Sequence, residues 1–322
     1  MKDLRKIAYA YKERGLTVIP VNSLKQPTVN WNQYQDKIMS DQEIEKYFKN
    51  VYGLALICGG EGQVYCLDID LKHSLVDNFI EELKEAVPNE ILKKLWVQET
   101  PSGGYHWIFK CEDIGRNEKL ANRLTTAEEK HNTYIEAFNN VKLRNNALKI
   151  ASNDKTRVIL ETRGNGGYFV VAPTQGYKKV YGSLQYLTKE EKDHLFEICR
   201  SFNEYSEEKK NFELNKYQGE NNPFEEYNDR GDSLSLLLQH GWQVVSESSG
   251  YVRLKRPGST HSASSALFDK NTRIFNVFST STMFDVNTGY TPVNVFIALE
   301  ANGDTKEAYK KLIDLGYGKQ SN

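Results

Sequence analysis

The apolar and polar positions along this chain divide it into short strand-like runs closed by glycines, with amphipathic helices between them. Residues 3–14 carry Leu4, Ile7, Ala8, Ala10 and Tyr11 among lysines and arginines, which is helical spacing. Gly15 follows, where a left-handed C-cap residue would sit. Leu16 to Val21 reads as a strand, and a polar turn from Asn22 to Asn30 leads to Trp31. Ser40-Asp41-Gln42-Glu43 has the capping-box pattern and predicts a helix through Ile44, Tyr47 and Phe48. Two apolar runs then follow each other, Gly53 to Cys58 and Val64 to Asp70, with Gly59, Gly60 and Gly62 between them. Runs of this kind between glycines predict buried strands.

A helix is expected from about Ser74 to Ala86, on the spacing of Leu75, Phe79, Ile80, Leu83 and Ala86. Leu95-Trp96-Val97 leads to a small-residue turn at Pro101-Ser102-Gly103-Gly104, and a strand of aromatics runs from Tyr105 to Phe109. Residues 112–155, polar and rich in asparagine and lysine, read as an inserted segment of loop and helix. Arg157 to Arg163 is a further strand, followed by the turn Gly164-Asn165-Gly166-Gly167 and the strand Tyr168 to Pro173. Helices around 188–205 close this part. Residues 204–228 are apolar-poor and suit a linker. Beyond them the pattern restarts, with a helix through Leu234, Leu237 and Leu238, strands around 252–254 and 273–278, and helices near 292–301 and 304–315.

Length and composition narrow the class. At 322 residues the chain has room for two domains, and at 39% hydrophobic and 26% charged it can build a core. The net charge of −1 excludes a globally basic nucleic-acid coat, so any such binding needs a local groove. The four cysteines, Cys58, Cys66, Cys111 and Cys199, form no CxxC pair and read as small core residues. No apolar run approaches 18 residues, which predicts a cytoplasmic protein. No G-x-x-x-x-G-K-[ST] run occurs, which argues against a P-loop ATPase.

The candidate chemistry sits at strand ends beside glycines. Asp68 and Asp70 are spaced i, i+2, so both project from one side of a strand. Two anions side by side repel each other, and a hard cation such as Mg²⁺ between them removes that cost. Glu161 ends a further strand, two residues before Arg163. Three carboxylates can hold two divalent ions, and two such ions suit nucleotidyl transfer. Ser102 and the backbone N–H groups of Gly103 and Gly104 can approach phosphate oxygens, and His106 and Arg163 can pair with a triphosphate. Each feature also has a plainer reading. The acids read equally as solvated strand ends, His106 as a satisfied core histidine, and Arg163 as a strand-end charge.

Taken in order, LDID, SGGYH and LETRGNGGYFVVAP resemble the archaeo-eukaryotic primase superfamily, and more narrowly the bifunctional primase–polymerase family of plasmids, phages and mobile elements. The lead-in GLTVIPV…KQP…W, with Lys25, Pro27 and Trp31, is similar to that family's opening. The resemblance covers about residues 1–200. It implies an α+β fold, a mixed sheet related to the RNA-recognition fold with helices on its faces. It implies that Asp68, Asp70 and Glu161 bind two Mg²⁺ or Mn²⁺ ions and are the catalytic residues. Ser102, His106, Arg163 and the backbone of Gly103 and Gly104 would hold the NTP or dNTP, with Lys25 as a further phosphate or template contact. Glutamate at the third acid and the long insertion depart from the usual pattern.

On this reading residues 1–205 form the catalytic domain, 206–228 a linker, and 229–322 a small nucleic-acid-binding domain. The last resembles a primase zinc ribbon without its ligands, since the cysteine positions fall near Val277 and Thr280 and only His261 remains, so no zinc is expected. Arg253, Lys255 and Arg256, with Tyr251 and Phe278 nearby, would grip a single-stranded template. The same run reads as a solvated basic strand. The activity implied is a DNA primase and polymerase that makes or extends primers on single-stranded DNA, working beside a separate helicase. Two readings compete with it: a non-catalytic replication or single-strand-binding module on a primase fold, which intact and unpaired carboxylates argue against, and a metal-dependent nuclease.

Overall fold

The computed structural model describes residues 3–205, the backbone of 207–208, and residues 222–259, 264–286 and 288–318. The chain forms two compact units, residues 1–199 and 200–322.

The first unit opens with α1 (Leu4–Lys12), capped by the Asp3 carboxylate on the Arg5 N–H, and β1 (Val18–Val21). α2 (Asp41–Tyr47) has the capping box that Ser40 and Glu43 predict. β2 (Gly53–Ile57) and β3 (Val64–Ile69) are the two glycine-bounded runs. The helix expected from Ser74 starts later, as α3 (Phe79–Ala86). The Ser74 hydroxyl binds both the N–H and the carbonyl of Val76, which holds a turn where the helix would begin. A short α4 (Asn89–Leu92) leads to β4 (Trp96–Glu99) and β5 (Tyr105–Lys110). The insertion is ordered. It supplies β6 (Lys119–Leu124) and the helices α5 (Ala127–Asn139) and α6 (Ala147–Asn153). β7 (Thr156–Arg163), β8 (Tyr168–Val171), β9 (Lys178–Tyr181) and α7 (Lys189–Arg200) complete the run.

These strands make two sheets. One has the order β1-β2-β8, the other β6-β7-β3-β5-β4-β9. The fold is α+β as expected, but every pairing between these strands is antiparallel rather than mixed. Neighbours such as β4 and β5 join by a tight turn, so no crossover helix is needed to bring strands parallel. The small sheet lies over one face of the large one. Val64, Cys66, Trp96 and Ile108 from the large sheet share a core with Val18, Leu54, Leu56 and Phe169 from the small one. Each such aliphatic or aromatic side chain contributes about 1.5–3 kcal/mol on burial. The opposite face of β3 and β5 meets α7, where Phe196 packs edge-on against Tyr65.

The second unit contains β10 (Glu207–Glu208), α8 (Pro223–Arg230), α9 (Ser233–Gln239), β11 (Gln243–Glu247), β12 (Tyr251–Lys255), β13 (Ala266–Asp269), β14 (Phe275–Val277), β15 (Thr288–Tyr290), α10 (Pro292–Ala301) and α11 (Thr305–Asp314). β11 to β15 form an antiparallel meander, with β10 parallel to β15 at its edge. Most of the expected linker lies outside the described residues. Its end does not behave as one, because α8 buries Phe224 and Tyr227 in the core of this unit. Among the described residues no helix is long and apolar enough to cross a membrane.

Candidate functional site

The face of the large sheet that meets the small one changes character along β3. Val64 and Cys66 point into the shared core, and Asp68, two residues on, is on the same face. Residues directly opposite each other on antiparallel strands project to the same side. Asp68 stands opposite His106 of β5 and opposite Glu161 of β7. His106 in turn faces Gln98 of β4, and Glu161 faces Lys119 of β6. One polar row therefore crosses five strands at the mouth between the sheets. The alternate residues Leu67, Ile69, Trp107 and Leu160 take the other face and are fully buried, which fixes the register of the row.

Asp70 follows β3, its backbone N–H held by the Ile159 carbonyl at 2.9 Å. A cavity of about 450 Å³ opens over this edge, lined by Lys25, Asp68, Asp70, Ser102, His106 and Arg163 among others. Six sequence-derived site residues far apart in the chain thus meet at one cavity. Glu161 opens instead on an adjoining space of about 380 Å³, shared with Asp70, His73 and Arg157.

The acids do not form the ready cage that the sequence suggests. Among the described residues no group of three or more histidine, cysteine, aspartate or glutamate side chains is disposed to hold a metal ion. Nor are the acids unpaired. Arg163 Nη2 bridges Glu161 Oε1 and Asp68 Oδ2, the latter at 3.3 Å. Asp70 Oδ2 meets Lys72 Nζ at 3.2 Å and His73 Nδ1 at 3.6 Å. The physical reason is the repulsion between neighbouring carboxylates, which the chain's own cations neutralise. Arg163, expected on a triphosphate, is turned toward the acids. The residues still fit a hard divalent ion, because two acidic side chains already aim oxygens at one positive point. A divalent cation can enter there only if the guanidinium leaves.

Burial raises the Glu161 carboxyl above the ordinary glutamate range, and the pull of Arg163 only partly offsets this. Burial works to lower the Arg163 guanidinium, but Glu161 and Asp68 outweigh it and the net direction is up. Burial lowers His106, and the nearby Asp68 carboxylate opposes the shift without reversing it. His106 Nε2 lies 3.5 Å from Asp68 Oδ1.

The small-residue turn is shaped for contact with the acidic strand. Gly103 has φ +82°, and a Cβ at Gly104 would run into the Ile69 carbonyl and the Asp70 backbone. The turn thus seats Ser102 at the cavity, its hydroxyl 3.1 Å from that of Thr100. One expectation changes here. The Gly103 N–H is not offered to a ligand, because it donates to the Thr100 carbonyl at 3.0 Å to close the turn. Lys25 also has positive φ, 62°, and its ammonium lies 5.6 Å from the centre of the Tyr177 ring. Tyr177, Asn117 and Gln98 escape sequence reasoning. Tyr177 and Asn117 line the cavity from loops, and Gln98 lies beneath His106 with no motif around it.

In the second unit Tyr251, Arg253 and Lys255 share one face of β12, opposite buried Val252 and Leu254. Arg253 is half-buried, its Nη1 3.4 Å from the Ser201 carbonyl, and burial lowers its guanidinium below the usual range. Arg256 lies just past the strand and is partly buried. Phe278 is fully buried and cannot stack on a base. Val277 is a core residue, and His261 lies outside the described residues.

Comparison with known proteins bears on the first unit. No curated protein matches the chain. A family model described as Prim-Pol, bifunctional DNA primase/polymerase, N-terminal, matches residues 8–189. That span is more than half of the chain and includes the whole polar row and the cavity-lining Lys25, Ser102 and Tyr177. The chain therefore belongs to the bifunctional DNA primase/polymerase family, and its general function is of the primase and polymerase type.

Proposed function

We propose that this protein is a template-dependent nucleotidyltransferase that makes or extends primers on single-stranded DNA. The observation that carries the reading is the row across β7, β3 and β5, which sets Glu161, Asp68 and His106 side by side, with Asp68 and His106 at a cavity bounded by Lys25 and Arg163 and Glu161 at the space adjoining it. Asp68, Asp70 and Glu161 would hold Mg²⁺ or Mn²⁺, two ions per site. When bound, these ions would lower the pKa of a primer 3′-hydroxyl and neutralise a leaving pyrophosphate. Lys25, Ser102 and His106 line the space where an NTP or dNTP would lie. Arg163 would exchange its acid partners for phosphate oxygens, which keeps a cation over the developing charge. In the second unit, Tyr251 and Lys255 would track the template strand, with unwinding left to a separate helicase.

A non-catalytic replication module is a second reading, because Arg163 and Lys72 pair with the acids. Primer extension with Mn²⁺ and labelled nucleotides separates the two. The wild type is expected to extend the primer, and the Asp68→Ala/Asp70→Ala double variant to remain folded and inactive. Extension by the double variant would refute the site. Wild-type protein that binds DNA without extension would support the module, and DNA loss without added nucleotides would support a nuclease.

A further inference from the structure

Gln98 is fully buried beneath the cavity, and its side chain joins the two sheets. Its Oε1 accepts the Ala172 N–H at 3.0 Å, and its Nε2 donates to the Val170 carbonyl at 2.8 Å. These two backbone groups allow only one orientation of the amide. A rotation by half a turn would set oxygen against the Val170 oxygen and N–H against the Ala172 N–H. The remaining amide proton points at His106 Nδ1, 2.8 Å away. An amide nitrogen has no acceptor capacity, so Nδ1 must be the acceptor and carry a lone pair. The ring proton then lies on Nε2, toward the cavity. Both amide protons of Gln98 and one lone pair of its oxygen are used, and at 0% exposure no water competes for them.

We infer that Gln98 is a positioning residue: by donating to the Val170 carbonyl of β8 and accepting from the Ala172 N–H just beyond it, it locks His106 as the Nε2–H tautomer, so that the ring presents one hydrogen-bond donor to a phosphate oxygen of the nucleotide. The groups around the ring agree with a donor at that position. Asp68 faces Nε2 from β3 at 3.5 Å, the charges of Arg163, Lys25 and Asp70 also act on the ring, and Tyr177 and Phe169 pack on it at 5.8 and 5.5 Å between centroids. A donor at Nε2 complements an oxygen and rejects a ligand group that offers only N–H donors. The same lock gives a role to a glutamine that is fully buried on β4. The choice of phosphate as the acceptor rests on the proposed nucleotidyl transfer. The tautomer does not.

Histidine-selective ¹⁵N labelling of the full chain tests the lock without nucleotide. The His106 signal, identified by its loss in His106→Gln, should show a protonated Nε2 and an unprotonated Nδ1. A protonated Nδ1 in the wild type would overturn the inference, whether or not any Gln98 variant folds. In Gln98→Met the ring should lose the pure Nε2–H pattern. The KM for dGTP in primer extension should then rise roughly 10- to 100-fold, the range expected for a hydrogen bond to a charged group, with a smaller change in kcat. In a His106→Gln background Gln98→Met should have no further effect on KM, and an equal effect there would reduce Gln98 to a structural role and overturn the inference. A wild-type protein with the Nε2–H pattern but no nucleotide incorporation would fail the proposed function and leave the tautomer lock intact.

Discussion

Replacing Arg163 by glutamine removes the one guanidinium that bridges Glu161 and Asp68. Breaking a fully buried pair costs about 3–5 kcal/mol, and an exposed pair about 0–1 kcal/mol. The Arg163 side chain is 32% exposed and its partners 23% and 27%, so the loss should fall near the lower range, about 1–2 kcal/mol. In a unit of this size that lowers the melting temperature by about 2–8 °C. The pH dependence has a definite sign. The folded-state pKa of Glu161 is already raised by burial, so its contribution to stability is present at low pH and is lost as pH rises through the carboxylate range. Without Arg163 that pKa moves higher still. The deficit of Arg163→Gln should therefore be largest near neutral pH and should close below the ordinary glutamate range. Added Mn²⁺ should restore much of the lost stability at neutral pH, because a divalent ion can take the place of the guanidinium. Scanning fluorimetry at about pH 3.5 and about pH 7, with and without Mn²⁺, measures both effects. An equal deficit at the two pH values, or no response to Mn²⁺, would refute the argument that Arg163 is a stand-in cation.

Gly104→Ala should displace the Ser102 turn, because the new methyl meets the Ile69 carbonyl. A loss of about 1–3 kcal/mol and a marked fall in nucleotide incorporation are expected, and a fully active, stable variant would contradict the packing described. Glu43→Ala should cost about 1 kcal/mol at neutral pH through loss of the α2 capping box. The backbone N–H of Ser40 is the main favourable cause that holds the Glu43 carboxyl down at about 2, against an opposing effect of burial. Its contribution is therefore complete above the ordinary glutamate range and is lost as pH falls toward about 2, where wild-type and variant melting curves should converge. Lys255→Ala should weaken single-strand binding and reduce the salt slope by about 1, whereas Arg253→Ala should chiefly lower the melting temperature. Binding titrations over a salt series distinguish the two.

Much of the site was legible because each of its parts has a local signature. Glycines bracket β2 and β3, an acid pair ends the second of these, and Gly103 and Gly104 mark a turn that only small residues can make against Ile69. What was hidden depends on contacts that no local pattern carries. β9 is an exposed edge strand, and β6 buries Arg123, whose charge is satisfied by Glu129 and the His73 and Leu124 carbonyls, so neither shows strand alternation. Gln98 gains its meaning from two backbone groups of β8 and its continuation, more than 70 positions away along the chain. The pairing of Arg163 with the acids follows from register. Residues at i and i+2 on β7 share a face, and Asp68 lies across from the first of them.

The most direct measurement is a crystal grown with Mn²⁺ and a non-incorporable dGTP analogue, with the metal located by its anomalous scattering. The account predicts Mn²⁺ in contact with carboxylate oxygens of Asp68, Asp70 and Glu161, and the Arg163 guanidinium turned onto the triphosphate. Metal bound elsewhere, with Arg163 still bridging Asp68 and Glu161 while the nucleotide is in place, would contradict it.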